Sequence, residues 1–257
     1  MPAASPVAAL SAAVPGAPPA RLAGVSLFFD FDGTLAEIAP TRDAVRVAPS
    51  LIESLDALTT VTRGAVAIVS GRSIAQLDAL IGPFARRIAI AGSHGAERRL
   101  PGEAPTMVAR PPALDAALAE LAAYAGAQGL LFEDKSLGGA LHYRAAPAAE
   151  AAAIAAAGAI AAAHDVHLQR GRMMVELRAD GDKGRALDAL LATPAMAGTR
   201  PLFFGDDVTD EDGFVAAAAA GGGGVLVGDT RPTAALWHLS GVPAVHDWIG
   251  AAIEAAR

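Results

Sequence analysis

The stretch VSLFFDFD, residues 25–32, decides the fold prediction, and a Gly33-Thr34 turn follows it. An apolar run of this length is typical of a strand that is buried on both faces of a parallel sheet. Asp30 and Asp32 stand at its carboxyl end, which is the edge at which ligands bind in open α/β sheets. Their position indicates a functional role for the two carboxylates. The alternative is an acidic turn, because Asp-Gly is a common turn pair.

Further apolar runs in the first and last thirds of the chain repeat this pattern. Each leads into a turn that contains glycine; they are GAVAIVSGR (64–72), RIAIAGSHG (87–95), RPLFFGDD (200–207) and GGVLVG (223–228). Helical spacing of apolar residues marks the segments 50–60, 73–82, 185–196 and 209–219, and the chain from Asp247 onward is also predicted to be helical. Ser73 is the expected N-cap of the second helix. Strands that alternate with helices predict an α/β fold with a doubly wound, Rossmann-like parallel sheet.

The middle third of the chain departs from this alternation. It contains a helix over 114–129, a hairpin over 130–144 with a Gly138-Gly139 turn, an alanine-rich helix over 147–163, and a hairpin over 165–178 that turns near Arg170 and Gly171. This succession predicts an antiparallel α+β cap domain that is inserted into the core.

The predicted organisation has three parts. The catalytic core comprises residues 25–105 and 180–257, the cap comprises 106–179, and residues 1–24 form a disordered tail. The tail is rich in proline and has no early Lys or Arg, whereas a signal peptide has a basic start and an unbroken apolar segment. It also lacks the bulky apolar pattern that offsets the entropy of ordering.

The composition excludes several classes of protein. The net charge is −7 and no basic stripe exists, so we expect no nucleic-acid partner. The absence of cysteine excludes disulfides, thiolate zinc sites and a cysteine nucleophile, and it is compatible with a reducing compartment. No strongly apolar run of about 18 residues is free of charge, Gly and Pro, so we expect no membrane span and a cytoplasmic location. The oligomeric state is left open, although a monomer is compatible with the sequence.

Three more polar groups accompany the predicted strands and helices. Ser70-Gly71-Arg72 follows a strand, where a hydroxyl and backbone amides can hold a phosphate oxygen or simply cap a helix. Lys183 opens a helix, where it can neutralise a phosphoryl group or be solvated. GDDVTDED (205–212) ends a strand, where clustered acids are costly unless a cation binds, the alternative being a solvated turn. Because an acidic protein repels anions, a phosphate substrate would need local positive charge or a metal.

Together these groups resemble the ordered motifs of the haloacid dehalogenase (HAD) superfamily of phosphatases: Asp30-x-Asp32-x-Thr34, Ser70, Lys183 and the acids at Asp206. The resemblance extends to one family within it. FFDFDGTL, SGR, GSHGAE, FEDK with HYR, VELR, GDKG and GDDVTDEDGF occur in the order found in trehalose-6-phosphate phosphatases. The likeness runs from about Leu27 to the C-terminus and leaves out the N-terminal tail.

The resemblance implies a Mg²⁺-dependent phosphatase of trehalose biosynthesis that hydrolyses trehalose 6-phosphate. Asp30 would be the nucleophile that forms an aspartyl-phosphate, and Asp32 the general acid and base. Ser70 and Lys183 would hold phosphoryl oxygens. Mg²⁺ would bind the carboxylates of Asp30 and Asp206 and the backbone carbonyl of Asp32.

The resemblance also implies which residues bind the sugar. Glu133 and Lys135 lie two apart in a predicted strand and therefore face the same side, and Glu176 lies on the second hairpin. These three would bind sugar hydroxyls, although a solvated ion pair is the alternative for Glu133 and Lys135. The core residues expected to line the substrate site are Gly71, Arg72, His94 and Gly95; for the histidine a structural loop role is the alternative. The roles of four more residues are left open: His142, Arg144, Arg172 and Asp210.

Other functions stay open on the sequence alone. The core motifs do not separate this family from phosphatases of sucrose phosphate or a mannosyl phosphate, so the cap must decide. A receiver-like signalling domain also phosphorylates an Asp near Lys and acids, but it needs neither a cap nor an acid two residues after the nucleophile. A catalytically inactive binding module would not need the complete set of Asp30, Asp32, Lys183 and Asp206.

Overall fold

The computed structural model describes residues 16–39, 44–107, 109–135, 138–171, 173–178 and 182–257. The chain divides into two compact units. The first is formed by Met1–Thr106 with Lys183–Arg257, and the second by Met107–Asp182. Each unit has its own apolar core.

The strands, in chain order, are β1 (Val25–Phe29), β2 (Val66–Val69), β3 (Ala89–Gly92), β4 (Glu97–Arg99), β5 (Thr106–Met107), β6 (Leu131–Lys135), β7 (Gly138–His142), β8 (His167–Gly171), β9 (Met174–Arg178), β10 (Arg200–Gly205), β11 (Gly223–Val227) and β12 (Trp237–Leu239). The α-helices are α1 (Pro49–Val61), α2 (Ile74–Ile81), α3 (Pro112–Gln128), α4 (Glu150–His164), α5 (Asp182–Leu191), α6 (Glu211–Ala219) and α7 (Val242–Ala255).

The larger sheet is mainly parallel. Within the described ranges it has eight strands in the order β12-β11-β10-β1-β2-β3-β4-β5. The strands from β12 to β3 pair in parallel, and β4 is antiparallel to β3. Strand β1 lies between β2 and β10, so the carboxyl ends of these three strands meet at one edge.

Both faces of this sheet are covered by helices. Phe29 and Phe204, whose rings are 4.6 Å apart, belong to the apolar layer that contains α1, α2 and α7. Phe28 and Phe203 belong to the opposite layer, with α5 and α6. Successive strand residues point to opposite faces, so burial on both faces requires the continuous apolar runs seen in the sequence. The predicted doubly wound α/β core is therefore confirmed.

The second unit is an antiparallel sheet with two helices. Its strand order is β6-β7-β9-β8, and α3 and α4 pack together over residues such as Leu141 of the sheet. Ala153, Ala157 and Ala161 are the buried residues of α4 and repeat every four positions. Their small side chains form one helix face, which lets α4 approach its neighbours closely. The predicted α+β fold of the middle third is confirmed.

Several details of the predicted elements are wrong. Gly138 and Gly139 lie inside β7 rather than in a turn, and at Gly139 a Cβ would meet the Phe132 ring at 2.8 Å. The second hairpin turns directly after Gly171, which pairs with Met174, and this is within a residue of the predicted position. The last helix begins at Val242, before the predicted start at Asp247. The short strands β4, β5 and β12 were not predicted, since two or three residues carry too little periodicity.

The predicted disordered tail, residues 1–24, is wrong for its last part. Leu22 belongs to the apolar core and is 8% exposed. The indole Nε1 of Trp248 donates to the carbonyl of Pro18 at 2.8 Å. Both contacts join the chain before β1 to the folded unit, so residues 16–24 are part of its packing. Residues 1–15 lie outside the described part of the chain.

Among the residues that the structure describes, one helical segment, Pro147–His164, is long and apolar enough to cross a membrane, with a mean hydropathy of 1.2. The expectation of no membrane span was based on runs free of Gly and Pro, and this segment contains Pro147 and Gly158. Its apolar character comes from alanine, and its buried alanines pack in the core of the second unit. The absence of a membrane span stays a prediction.

Candidate active site

A cavity of about 270 Å³ lies beside the loops that follow β1, β2 and β10. Its lining residues are Asp30, Asp32, Ile38, Ala39, Val45, Ser70, Gly71, Arg72, His94, Lys183, Asp206, Asp207 and Thr209. All of them belong to the first unit. The structure thus brings together the core residues that the sequence singled out, except for Gly95, which is not in the lining.

Asp30 lies beside a buried lysine. Its backbone N–H donates to the carbonyl of Phe204 at 2.9 Å, which holds the residue at the end of β1. The Nζ atom of Lys183 is 3.3 Å from Asp30 Oδ1 and donates to Asp210 Oδ1 at 2.5 Å. The side chains of Lys183 and Asp210 are only 2% and 0% exposed. Because a buried ammonium requires paired carboxylates, Lys183 is not a solvated surface residue.

Burial, together with neighbouring carboxylates, shifts the pKa values of this cluster. Burial raises the pKa of Asp30 to about 7, against the opposing effect of Lys183. Burial, together with the charge of Asp210, raises the pKa of Asp206 to about 6. Burial alone would lower the pKa of Lys183, but Asp30 and Asp210 outweigh it and raise that pKa above its ordinary value. A further cation at this place would relieve the charge.

Three carboxylates are close enough to share such a cation. Oxygen atoms of Asp30, Asp206 and Asp210 lie within 4.8 Å of one another. Oδ1 of Asp206 is buried and has no hydrogen-bond partner among the described residues. Mg²⁺ and similar hard cations bind oxygen ligands, and a buried carboxylate without a partner is costly. The residues present therefore fit a divalent cation, and Asp210, whose role the sequence left open, joins the set.

The carboxylate of Asp32 is held by Arg72. Nε and Nη2 of Arg72 donate to the two carboxylate oxygens at 2.6 and 2.7 Å. The guanidinium is 5% exposed and stands 5.9 Å from the centre of the Phe31 ring. Two parallel hydrogen bonds fix the orientation of a carboxylate as well as its position. The sequence predicted substrate binding for Arg72, whereas in the structure its guanidinium contacts Asp32.

Ser70 is buried at the end of β2. Its Oγ accepts the backbone N–H of Arg72 at 3.2 Å. The alternative role for Ser70 was to cap the next helix, but that helix is capped by Ser73, whose hydroxyl accepts the N–H of Gln76. The hydroxyl of Ser70 is thus placed in the cavity wall and not at the helix terminus.

His94 packs against Gly71 in the cavity wall. Its Cε1 and Nε2 atoms lie 2.7 Å from the point where a Cβ on Gly71 would stand, so any other residue there would require the ring to shift. The backbone of His94 is left-handed, with φ 55° and ψ 36°, and the preceding Ser93 has φ 49°. The N–H of His94 donates to the carbonyl of Ser70 at 2.9 Å.

The acids of residues 205–212 do not all face the cavity. The N–H of Asp207 donates to Asp210 Oδ2 at 2.9 Å, which folds the loop back on itself. Glu211 accepts hydrogen bonds from Arg231 and, at 2.8 Å, from Thr233. Arg231 also donates to the carbonyl of Asp207 at 2.7 Å. Glu211 therefore fastens the segment between β11 and β12 to the acidic loop, whereas Asp206 and Asp210 form the candidate metal site.

In the second unit, Glu133 and Glu176 lie in one row across the sheet. The register pairs Glu133 with Ala140, and Ala140 with Glu176, so both side chains project from the same face. His142 is on this face as well, and its Nε2 lies 2.8 Å from Glu133 Oε2. The helices cover the other face. The backbone of Lys135 belongs to β6, but its side chain lies outside the described residues.

Comparison with known proteins identifies the family. The family model described as trehalose-phosphatase matches residues 28–241, which is most of the chain. The chain belongs to the trehalose-phosphatase family. It is 40% identical over 229 residues to the trehalose-6-phosphate phosphatase of Escherichia coli K12, covering 86% of this chain and 84% of that protein. A probable trehalose-phosphate phosphatase of Sinorhizobium fredii is 40% identical over 213 residues, with 81% and 80% covered.

Solved structures agree with the fold of this trehalose-phosphatase family member. The trehalose-6-phosphate phosphatase of Aspergillus fumigatus matches with a TM-score of 0.74 at 24% identity, over 94% of this chain and all of that one. A phosphatase of the HAD superfamily from Bacteroides thetaiotaomicron matches with a TM-score of 0.59 at 16% identity, over 88% and 95% of the two chains. The predicted family resemblance and the HAD-type fold are confirmed.

Some residues at the cavity of this family member were not predicted from the sequence. Ile38, Val45 and Thr209 line it, although no motif marks the first two. Asp210 lies in the same acidic segment as Asp206, four residues further on, and that segment is the signal that could have pointed to it. In the second unit Arg144 is exposed, and Arg172 lies outside the described residues.

Proposed function

We propose that this member of the trehalose-phosphatase family hydrolyses trehalose 6-phosphate to trehalose and phosphate. The observation that carries the proposal is the placement of Asp30 beside Lys183 and of Asp32 beside Arg72 in one cavity. A two-step phosphoryl transfer needs a nucleophile next to a cation, and it needs a second carboxylate that is oriented to transfer protons. The choice of trehalose as the sugar rests on the names of the similar proteins.

In the proposed reaction, a carboxylate oxygen of Asp30 forms a bond to phosphorus while the bond from phosphorus to the sugar oxygen breaks. The leaving sugar oxygen takes a proton from Asp32. A water then attacks the aspartyl-phosphate and gives a proton to Asp32, which releases phosphate and restores Asp30. Lys183 and the Ser70 hydroxyl hold phosphoryl oxygens during both steps, and the position of Lys183 Nζ, 3.3 Å from Asp30, supports this role.

Mg²⁺ is the proposed cofactor. Asp30 and Asp206 would hold it with their carboxylates and Asp32 with its backbone carbonyl, and the nearby Asp210 extends the acidic set. The buried Asp206 oxygen without a hydrogen-bond partner supports the assignment. When bound, the ion would neutralise charge on the transferred phosphoryl group. It would also favour the ionised form of Asp30, which the nucleophile requires.

The sugar is proposed to be bound by residues of the second unit. Glu133 and Glu176 accept hydrogen bonds from sugar hydroxyls in this proposal, and Lys135 donates to sugar oxygens. The row that the two glutamates share, on the sheet face without helices, supports it. The assignment of 25–105 with 180–257 as the catalytic core and 106–179 as the cap is part of the same proposal. So is a cytoplasmic location, which the absence of cysteine fits.

The test is phosphate release from a panel that contains trehalose 6-phosphate, sucrose 6-phosphate, glucose 6-phosphate and a mannosyl phosphate. We expect the highest kcat/KM for trehalose 6-phosphate and loss of turnover in EDTA. Ca²⁺ should support turnover poorly, since its larger coordination shell would misplace the nucleophile. Asp30→Asn should fold but release no phosphate, because an amide is a poor nucleophile.

The other outcomes of this test contradict the proposal. Preference for another sugar phosphate would reassign the substrate. Activity above a few per cent in Asp30→Asn would exclude the covalent route. No release from any member of the panel would indicate a binding module or a receiver-like domain.

A further inference from the structure

We propose that Glu97 is a positioning residue that holds the turn of His94 against the loop of Ser70, Gly71 and Arg72. The inference rests on the proposed function, because it concerns the wall of the same cavity. Glu97 is not among the residues that line the cavity. Any effect on the substrate must therefore pass through the residues that Glu97 holds.

The carboxylate of Glu97 joins two segments that are apart in the sequence. Glu97 begins β4 and pairs with Gly92 at the end of β3. Its Oε2 accepts the backbone N–H of Ile74, the first residue of α2, at 2.9 Å. Its Oε1 accepts the hydroxyl of Ser93 at 2.5 Å. Hydrogen bonds to a carboxylate are shorter and stronger than bonds between neutral groups, so this is a firm connection.

The turn that Glu97 contacts is in an unfavourable conformation. Ser93 and His94 are consecutive and both left-handed, with φ of 49° and 55°. Residues other than glycine adopt this conformation at a cost and keep it only where the surroundings enforce it. Two backbone bonds also hold the turn, from the N–H of Ser93 to the carbonyl of Arg72 at 2.7 Å and from the N–H of His94 to the carbonyl of Ser70 at 2.9 Å.

The His94 ring fills the space beside Gly71 that a side chain at that position would otherwise occupy. A Cβ on Gly71 would stand 2.7 Å from the ring, and a Cβ on Gly92 would stand 2.8 Å from the backbone nitrogen of Ile74. The two loops are therefore in close contact at both glycines. If the Ser93 hydroxyl lost its acceptor, the strained turn could relax, and the His94 ring would move away from Gly71.

A simpler role for Glu97 is to stabilise the start of α2. This helix already has a complete capping box, in which Ser73 and Gln76 satisfy each other's backbone N–H groups. Glu97 accepts a further N–H of the first turn. If its role were purely structural, Glu97→Ala would lower the melting temperature, and the effect of this substitution would be the same with and without the His94 side chain.

A double-mutant cycle in the full-length protein separates the two roles. Glu97→Ala should raise KM for trehalose 6-phosphate by about 10-fold, the size expected when a hydrogen bond to a charged group is lost, with a smaller change in kcat. In a His94→Ala background the same substitution should change KM by less than about 2-fold, because the positioned ring is absent. Glu103→Gln, an exposed carboxylate on the loop after β4, is the matched control and should leave KM unchanged.

Two further variants test the same proposal if Glu97→Ala does not fold. Glu97→Gln can accept the N–H of Ile74 and donate to the Ser93 hydroxyl, so it should restore most of the wild-type KM. Ser93→Ala removes only the second bond and should reproduce part of the rise in KM. An unchanged KM in both Glu97→Ala and Ser93→Ala, or an equal rise in KM with and without His94, would overturn the proposal.

A spectroscopic readout separates this inference from the proposed function. The Cε1 proton of His94, assigned by its loss in His94→Ala, should shift in the NMR spectrum of Glu97→Ala and stay in place in Glu103→Gln. This result is expected even if the wild-type protein releases no phosphate from trehalose 6-phosphate. If the resonance does not move, Glu97 does not position His94.

Discussion

Arg72 donates two hydrogen bonds to Asp32, from Nε at 2.6 Å and from Nη2 at 2.7 Å, across 40 residues of sequence. The pair joins the loop after β1 to the loop after β2. Because the Arg72 side chain is buried and its guanidinium stands near the Phe31 ring, the two hydrogen bonds orient the partly exposed Asp32 carboxylate from the core side. The proposed general acid and base is thus preorganised by an arginine.

Arg72→Lys should lower kcat for trehalose 6-phosphate by about 100-fold, since small displacements of a catalytic group have effects of this size. A lysine carries the charge but cannot donate the two parallel bonds. Steady-state kinetics measure the change, with the circular dichroism spectrum as a control for folding. A raised KM at unchanged kcat would instead mean that Arg72 binds the substrate directly.

Lys183→Met should destabilise the protein by about 3–5 kcal/mol in metal-free buffer, because it leaves buried carboxylates without a cation. Those carboxylates are Asp30 and Asp210, whose Oδ1 atoms lie 3.3 and 2.5 Å from Lys183 Nζ. Denaturant unfolding measures the loss, and Arg185→Met, at an exposed position of the same helix, is the control. Equal stability of the two variants would show that the buried ion pairs contribute little to folding.

The stability of the metal-free protein should fall as pH rises from about 4 to about 7. The pKa values of Asp30 and Asp206 are raised by burial to about 7 and about 6, from an ordinary value of 3.8. In this window the folded protein binds more protons than the unfolded chain, so the free energy of unfolding decreases with rising pH. Lys183 stays protonated throughout because its pKa is raised. Melting temperatures in EDTA at several pH values test this, with Asp30→Asn flattening the profile.

The same carboxyl groups link Mg²⁺ binding to pH. Because ligands must lose their protons, Mg²⁺ should raise the melting temperature more at pH 8 than at pH 5. The shift should be absent in Asp206→Asn. An identical Mg²⁺ shift at the two pH values would mean that the ion binds elsewhere.

Glu133→Ala and Glu176→Ala should each lower kcat/KM for trehalose 6-phosphate, by about 1–3 kcal/mol in transition-state binding. Lys135→Ala should act in the same way. Turnover of a small aryl phosphate should barely change, since it lacks the sugar. Asp134→Ala, which removes the neighbouring carboxylate on the opposite side of β6, is the matched control. Equal losses on the two substrates would mean that these residues support the fold or the chemistry.

Much of the candidate site could be predicted because each residue follows a short apolar strand. Asp30, Ser70 and Asp206 come directly after β1, β2 and β10. Parallel strands end at the same edge, so local pattern alone places these groups near one another. Local pattern alone does not place Glu133 and Glu176 in one row, because their shared row depends on the register of β7 and β9.

Other parts of the site could not be predicted. Nothing near Arg72 in the sequence indicates Asp32 as its partner, and nothing near Lys183 indicates Asp210. The left-handed backbone of His94 contradicts the ordinary preference of histidine, and Leu22 lies in a segment without periodicity. The two ion pairs and the packing of Leu22 join residues distant in sequence, and the backbone of His94 is held by bonds to another loop, so local pattern does not indicate them.

The sequence by itself determined the α/β class, the inserted α+β segment and the polar residues at the strand ends to which we assign the chemistry, because hydrophobic periodicity and the polar ends of strands are local properties of the chain. Only the tertiary structure decided which carboxylate belongs to which cation. Asp32 pairs with Arg72 and Asp210 with Lys183, whereas the buried Oδ1 of Asp206 has no hydrogen-bond partner among the described residues. The reason is that burial removes water as a partner, so each buried charge must be matched by whichever opposite charge the packing brings within hydrogen-bond distance.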